Sequence, residues 1–247
     1  MKKLKDVVIA ILILAVVGTL IYYVYQSGSR TQNRELARRI AQLSPRGGPP
    51  ETIEGLRQAI ALYEDQIERN VREGAQTGVY WKILATRLAD RGMHNDALNA
   101  LERAVYYNAE DPTLYYLSGV SAGAVAKSVV GFSVNAERER EHYFRLAENS
   151  YKRALELDIT YTRPMYGLGV LYVFELNKPE EAIVQLERYL SIVTSDVSAM
   201  FILARAYYMT HNFSRAIELY DRILDRTKDK SIREEALNNR NLVQGML

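Results

Sequence analysis

Apolar positions along this chain fall at helical spacing and restart in the same register four times. A bulky residue opens each copy, at Trp81, Tyr115, Met165 and Met200, and a small one follows four positions on, at Ala85, Gly119, Gly169 and Ala204. Further along each copy, Ala97, Ala147, Ala182 and Ala216 stand four residues before Leu101, Tyr151, Leu186 and Tyr220. Small side chains let two antiparallel helices approach to about 8–10 Å, while large ones three and four residues apart build an apolar stripe. The unit is therefore a helix pair. One pair cannot bury both of its faces, so the copies must stack as a solenoid in which each leans on the next. No apolar alternation bounded by turns competes with this pattern, and the chain is expected to be all-α.

The flanks extend the pattern. Leu56, Ala59, Ile60, Tyr63 and Ile67 recur at helical spacing and predict a helix over 52–73, ending before the first repeat and capping it. At the other end a capping helix is expected over 231–243, with Ser231 as N-cap and Glu234 closing a capping box. The organisation so read is 1–25 basic tail and anchor, 26–50 linker with a short helix at 35–43, and 51–77 amino-terminal cap. Repeats follow at 78–111, 112–161, 162–196 and 197–230, then the carboxy-terminal cap at 231–247.

The repeats resemble a known family, the tetratricopeptide repeat. The first carries Trp81, Leu84, Ala85, Leu88, Ala97, Leu101 and Ala104 at that family's spacings, and the last carries Met200, Leu203, Ala204, Tyr207, Phe213, Ala216 and Tyr220. The third, with Leu168, Gly169 and Tyr172, has one residue too many, placed in the turn at Asn177, Lys178 and Pro179. In the second, Tyr115 and Ala147 are twice as far apart as usual, so about sixteen residues are inserted, near 126–142. Shared equally, they add about eight residues, or roughly 12 Å, to each helix. The tip of that hairpin, Val129, Val130, Phe132 and Val134, is apolar, and either packs the hairpin on itself or forms a patch that docks a partner.

The resemblance implies a right-handed α-solenoid whose first helices line a groove for a peptide or protein segment. Its groove positions would be Lys82, Thr86, Tyr116, Val120, Arg163, Tyr166, Val170, Phe174, Phe201, Arg205 and Tyr208. Tyrosine and arginine are residue types that dominate binding hot spots, although the same rings also suit the core between repeats. Some members of the family grip a terminal carboxylate with a basic clamp. Lys82 and Arg163 fall where its cations belong, but Thr86, Leu117 and Gly167 replace the asparagines and arginine it needs, which argues against that ligand.

At the amino end, Val7 to Tyr25 is nineteen residues without a charge, after a start containing Lys2, Lys3 and Lys5. At 1.5 Å per residue that run approaches the ~30 Å of a bilayer's hydrocarbon layer, and Tyr22, Tyr23 and Tyr25 suit its boundary. It reads as an uncleaved transmembrane helix, being longer than the apolar part of an export signal. Arg30, Arg34, Arg38 and Arg39 nearly cancel the positive-inside signal. The short basic start favours a bacterial inner-membrane anchor with a periplasmic solenoid; a cytosol-facing solenoid is the alternative.

Composition narrows the chemistry. Of 247 residues 48% are hydrophobic and 25% charged, with no cysteine. Beyond Lys2, Lys3, Lys5 and Asp6, 29 basic and 29 acidic side chains balance, which gives no nucleic-acid footprint. Gly119-Val-Ser121-Ala-Gly123 matches a nucleophile pattern, but that pattern needs a strand and a strained turn where this chain has a helix. His94, His142 and His211 are scattered without a metal-pair spacing, and His94 and His211 are expected in solvated turns. No catalytic residue, metal or cofactor is assigned. The expectation is a membrane-anchored interaction module in a cell-envelope complex. Alternatives are a cytosol-facing receptor for a targeting peptide and a non-catalytic accessory subunit of an enzyme or motor.

Overall fold

The computed structural model describes residues 37–39, 52–131 and 133–246. Among them the chain is helical throughout, without a strand: three residues at 37–39, then α1 (Ile53–Asp90), α2 (His94–Tyr107), α3 (Pro112–Ser128), α4 (Val134–Leu157), α5 (Thr162–Phe174), α6 (Pro179–Ile192), α7 (Val197–Met209), α8 (Phe213–Arg226) and α9 (Lys230–Gln244). The apolar run 7–25 and most of the short helix expected at 35–43 lie outside the described residues. No helix among the described residues is long and apolar enough to cross a membrane.

Two compact units divide after Glu73. The sequence places a helix end at Glu73 and a fresh start at Gly78, yet α1 is one helix of 38 residues. No proline interrupts this stretch, and Gly74 and Gly78 each cost a helix only about 1 kcal/mol, so neither is a true breaker. Gly78 instead serves close packing: a Cβ there would stand 2.8 Å from Cβ of Tyr107 on α2.

In the second unit every helix from α2 onward packs on the next, and the small residues sit where the large ones press. A Cβ on Gly119 would meet the Tyr151 ring at 2.5 Å, and one on Gly169 would meet Leu186 at 2.5 Å. Ala97, Ala147, Ala182 and Ala216 are all closed to solvent. Met165 and Met200 are buried as openers, whereas Tyr115 is half-buried, its hydroxyl donating to the Ala109 carbonyl, and the adjacent Leu114 fills the core.

Turn lengths match the repeat arithmetic. Met93 N–H donates to the Leu88 carbonyl and Asn212 N–H to the Tyr207 carbonyl, each closing a five-residue step with Gly92 or His211 in left-handed backbone. In the third repeat Lys178 N–H reaches Tyr172, a six-residue step with Asn177 at φ 50, so the extra residue is there.

The insertion is shared unequally. Against the 13 and 14 residues of α7 and α8, α3 has 17 and α4 has 24, joined by a five-residue loop. The second helix therefore takes most of the added length, about 15 Å, and the first only about 6 Å. Polarity sets the difference: α3 ends after Lys127-Ser128, while Ser133 caps α4 by accepting from Ala136 N–H, so Glu137 to Glu141 belongs to that helix. The last helix also begins earlier than expected, with Asp229 rather than Ser231 as its cap.

Candidate functional site

First helices of neighbouring repeats touch directly, α3 with α5 and α5 with α7, as well as touching their own partners. These contacts set the first helices side by side, and of the eleven groove positions named above nine lie on α3, α5 and α7, with Lys82 and Thr86 on α1. None of the eleven is fully buried.

Four of them meet in one place. Phe174, Phe201, Arg205 and Tyr208 line a cavity of about 510 Å³. The Arg205 guanidinium lies 5.0 Å from the centre of the Phe174 ring, within cation–π range. Phe201 tilts on Tyr220 at 6.0 Å, and Tyr208 on Phe213 at 5.9 Å. Ile202 and Met209 of α7 and Tyr220 of α8 add to this wall, and α9 closes it through Glu235, Asn239, Leu242 and Val243. The sequence marks α9 only as a cap, yet Glu235, Asn239 and Leu242 follow at steps of four and three, with Val243 four after Asn239, the signal that one face of the helix lines this cavity.

The middle of this row of helices is an aromatic stack. Tyr116 lies 5.5 Å from Tyr161 and 6.1 Å from Tyr151, with Arg163 placed 5.9 Å from its ring centre. Tyr151 reaches this position between two glycines, since a Cβ on Gly167 would stand 2.8 Å from the ring just as one on Gly119 would collide with it. Here is the physical reason for Gly167: an arginine of the carboxylate clamp cannot occupy a position whose Cβ the Tyr151 ring excludes. Beside this stack Tyr166 packs on Tyr189 at 5.4 Å, and the Tyr189 hydroxyl donates to Asp196 at 2.7 Å. Burial, then that hydrogen bond to a carboxylate, pushes the Tyr189 phenol up to about 12. Val170 is half-buried and Val120 exposed.

At the first repeat the polar groups are already engaged. Lys82 pairs with Asp111 at 2.8 Å, and Asp111 also caps α3 by accepting from Thr113 N–H at 2.8 Å. Burial raises the Asp111 pKa, but the Lys82 and Thr113 hydrogen bonds outweigh it and hold the carboxyl below its ordinary value. Thr86 donates to the Lys82 carbonyl on its own helix. Both still line a cavity of about 500 Å³ with Val79, Ile83 and Leu114. Arg163 and Arg205 differ from Lys82: each meets a ring, and neither joins an ion pair among the described residues.

The hairpin tip divides between the two expectations. Val125, Ala126 and Ala136 pack the hairpin on itself, and Arg140 fastens the loop through the carbonyls of Val129 and Gly131 at 3.3 Å each. Val130 stands 93% exposed and Val134 is also exposed, Val129 is half-buried, and Phe132 lies outside the described residues. Ser121 is buried mid-helix in α3. His94 is not the solvated turn residue expected; it opens α2 half-buried, with Nδ1 enclosed and lacking a hydrogen-bond partner among the described residues. Among those residues no cluster of three His, Asp or Glu is placed to hold a metal.

A family model described as the tetratricopeptide repeat matches residues 171–231, from the last turn of α5 through α8 to the first residues of α9. The chain is similar in fold to MamA (residues 41 to its end) from Desulfovibrio magneticus RS-1, at 15% identity and TM-score 0.55, covering 68% of this chain and 90% of that one. A second MamA structure aligns at 18% identity and TM-score 0.51, over 80% of this chain and 94% of that one. A thermophilic tetratricopeptide repeat protein of Thermus thermophilus aligns at 19% identity and TM-score 0.52, over 83% and 97%. No curated protein matches the sequence. These likenesses establish the fold, an α-solenoid of tetratricopeptide type.

Proposed function

We propose that this chain is a membrane-anchored interaction module that holds an extended segment of another protein along the first helices of its repeats. The observation that carries the reading is the cavity where Phe174, Phe201, Arg205 and Tyr208 converge with α9. Partly exposed rings beside guanidiniums lacking a carboxylate partner among the described residues suit a segment that offers apolar side chains with carboxylates between them, because each contact buries ring area and completes a charge pair. The apolar run 7–25 would hold that complex at a bacterial inner membrane with the solenoid in the periplasm, as a scaffold or assembly factor of an envelope complex. The preformed aromatic stack keeps the ordering cost on the solenoid's side small.

Cross-linking and pull-down from native membranes identify the partner. Replacing Tyr166, Phe201 and Tyr208 together with alanine is expected to abolish its recovery while helicity by circular dichroism stays at the parent's level; undiminished recovery would remove the groove from the account. A reporter fused after Leu247 tests the side of the membrane, and cytosolic activity would replace the periplasmic assignment with the targeting-receptor alternative.

A further inference from the structure

The amino-terminal half of α1 carries a feature that the groove reading does not use. Ile53, Leu56, Ile60, Tyr63 and Ile67 follow one another at steps of three, four, three and four, the spacing of the a and d positions of a coiled coil. They are 72%, 41%, 55%, 51% and 60% exposed, a continuous apolar seam. Charge is gathered away from it. Arg69 pairs with Asp65 at 2.8 Å and Arg72 with Glu68 at 2.9 Å, both across one helical turn, at the b, c and f positions that face water in a coiled coil.

We propose that this seam pairs two copies of the chain as a short antiparallel coiled coil. The occupant is identified by self-complementarity. Setting Ile60 of one copy opposite Tyr63 of the other puts Leu56 opposite Ile67 and Ile53 opposite Asn70. In that register Arg57, flanking the seam, faces Glu64 of the other copy, and the two-fold axis repeats the contact, so two ion pairs close the interface. Neither Arg57 nor Glu64 has an ion pair or hydrogen bond of its own among the described residues. A parallel pairing in register sets Arg57 against Thr52 and Glu64 against Ala59, which offers no attraction. The charges therefore select the antiparallel arrangement, over about 27 Å of helix. This pairing does not rest on the groove reading, and either proposal survives the failure of the other.

The test uses the full chain in detergent, with mass measured across a dilution series. The parent is expected to dimerise. R57E and E64R each place like charges at both symmetric contacts and are expected to weaken the dimer about tenfold, while the double swap, which restores both attractions, returns it close to the parent. Both positions are exposed, so circular dichroism should be unchanged in every variant. Because the chain has no cysteine, L56C and I67C report register directly: mixed, they should form a disulfide-linked heterodimer, and alone neither should link to itself. A monomer at all concentrations, a double swap no better than the single variants, or self-linking of L56C would each overturn the proposal.

Discussion

Along α8, Ala216, Leu219, Tyr220 and Ile223 recur at helical steps and lie within 5% of full burial; along α1, Leu56, Ile60, Tyr63 and Ile67 recur at helical steps and stand 41–60% exposed. Period alone does not separate the two. What differs is the company of small residues. Repeat helices alternate large side chains with alanine or glycine, and the facing helix answers in kind, so Leu186 seats against Gly169 and Tyr151 against Gly119. The exposed seam of α1 is made of large residues, with the small Gly55 and Ala59 buried beside it, and large side chains alone are the composition of a surface that meets another large surface by knobs-into-holes packing. A stripe with small residues finds its partner inside the chain, whereas a stripe without them leaves an apolar face open.

The most severe break in that contrast is Gly169→Leu. The Cβ alone collides with Leu186, so overpacking should cost about 3 kcal/mol and lower the melting temperature by about 10 °C. A melting temperature equal to the parent's would contradict the small-to-large fit.

A smaller effect comes from the polar contact that joins the second and third repeats. Glu148 on α4 accepts from Lys152 at 2.7 Å, from Lys178 at 3.0 Å and from the Tyr172 hydroxyl at 3.1 Å. Burial pushes this carboxyl up, but the hydrogen bonds from both lysines outweigh it and hold the group below its ordinary 4.5. Its folded pKa is thus depressed, so its stabilisation is complete above 4.5 and is lost as pH falls through the folded value. Glu148→Gln should cost about 2 kcal/mol at neutral pH, the lysines' exposure discounting their share. Thermal melts of the two proteins should converge as pH drops below 4.5, and a gap that stays constant would remove the charge from the account.

Smallest of the three is Leu56→Ala made in the Arg57→Glu background, where self-pairing is suppressed. With its side chain already exposed, the loss should stay within about 0.5 kcal/mol. A cost matching that of a buried leucine would show that the seam is covered within its own chain.

Much of this molecule is legible in its sequence because packing leaves marks of fixed spacing. The four-residue offsets locate both helices of each repeat, and the six-residue turn bond at Lys178 appears where one residue exceeds the usual count. Other features escape because one residue type serves two physical ends. Gly78 looks like a boundary but gives space to Tyr107, so α1 runs on through it. The inserted residues of the second repeat can be counted, but how two helices share them depends on where Ser133 caps. Within the groove, the rings of α3, α5 and α7 follow from register, whereas Glu235, Asn239 and Leu242 appear only once α9 is seen to form a wall.

Tyr151 ties the chemistry of the aromatic stack around Tyr116 to the skeleton beneath it. Its ring fills the space that a side chain at 167 would need, so what can stand at that position is set by a residue of the layer behind. Introducing a cation at 167 to attract a chain terminus would first require a smaller residue at 151, with a weakened joint between the second and third repeats as the consequence. The two positions should therefore change in concert or not at all, and altering what this surface attracts would begin with re-engineering how the stack is held upright.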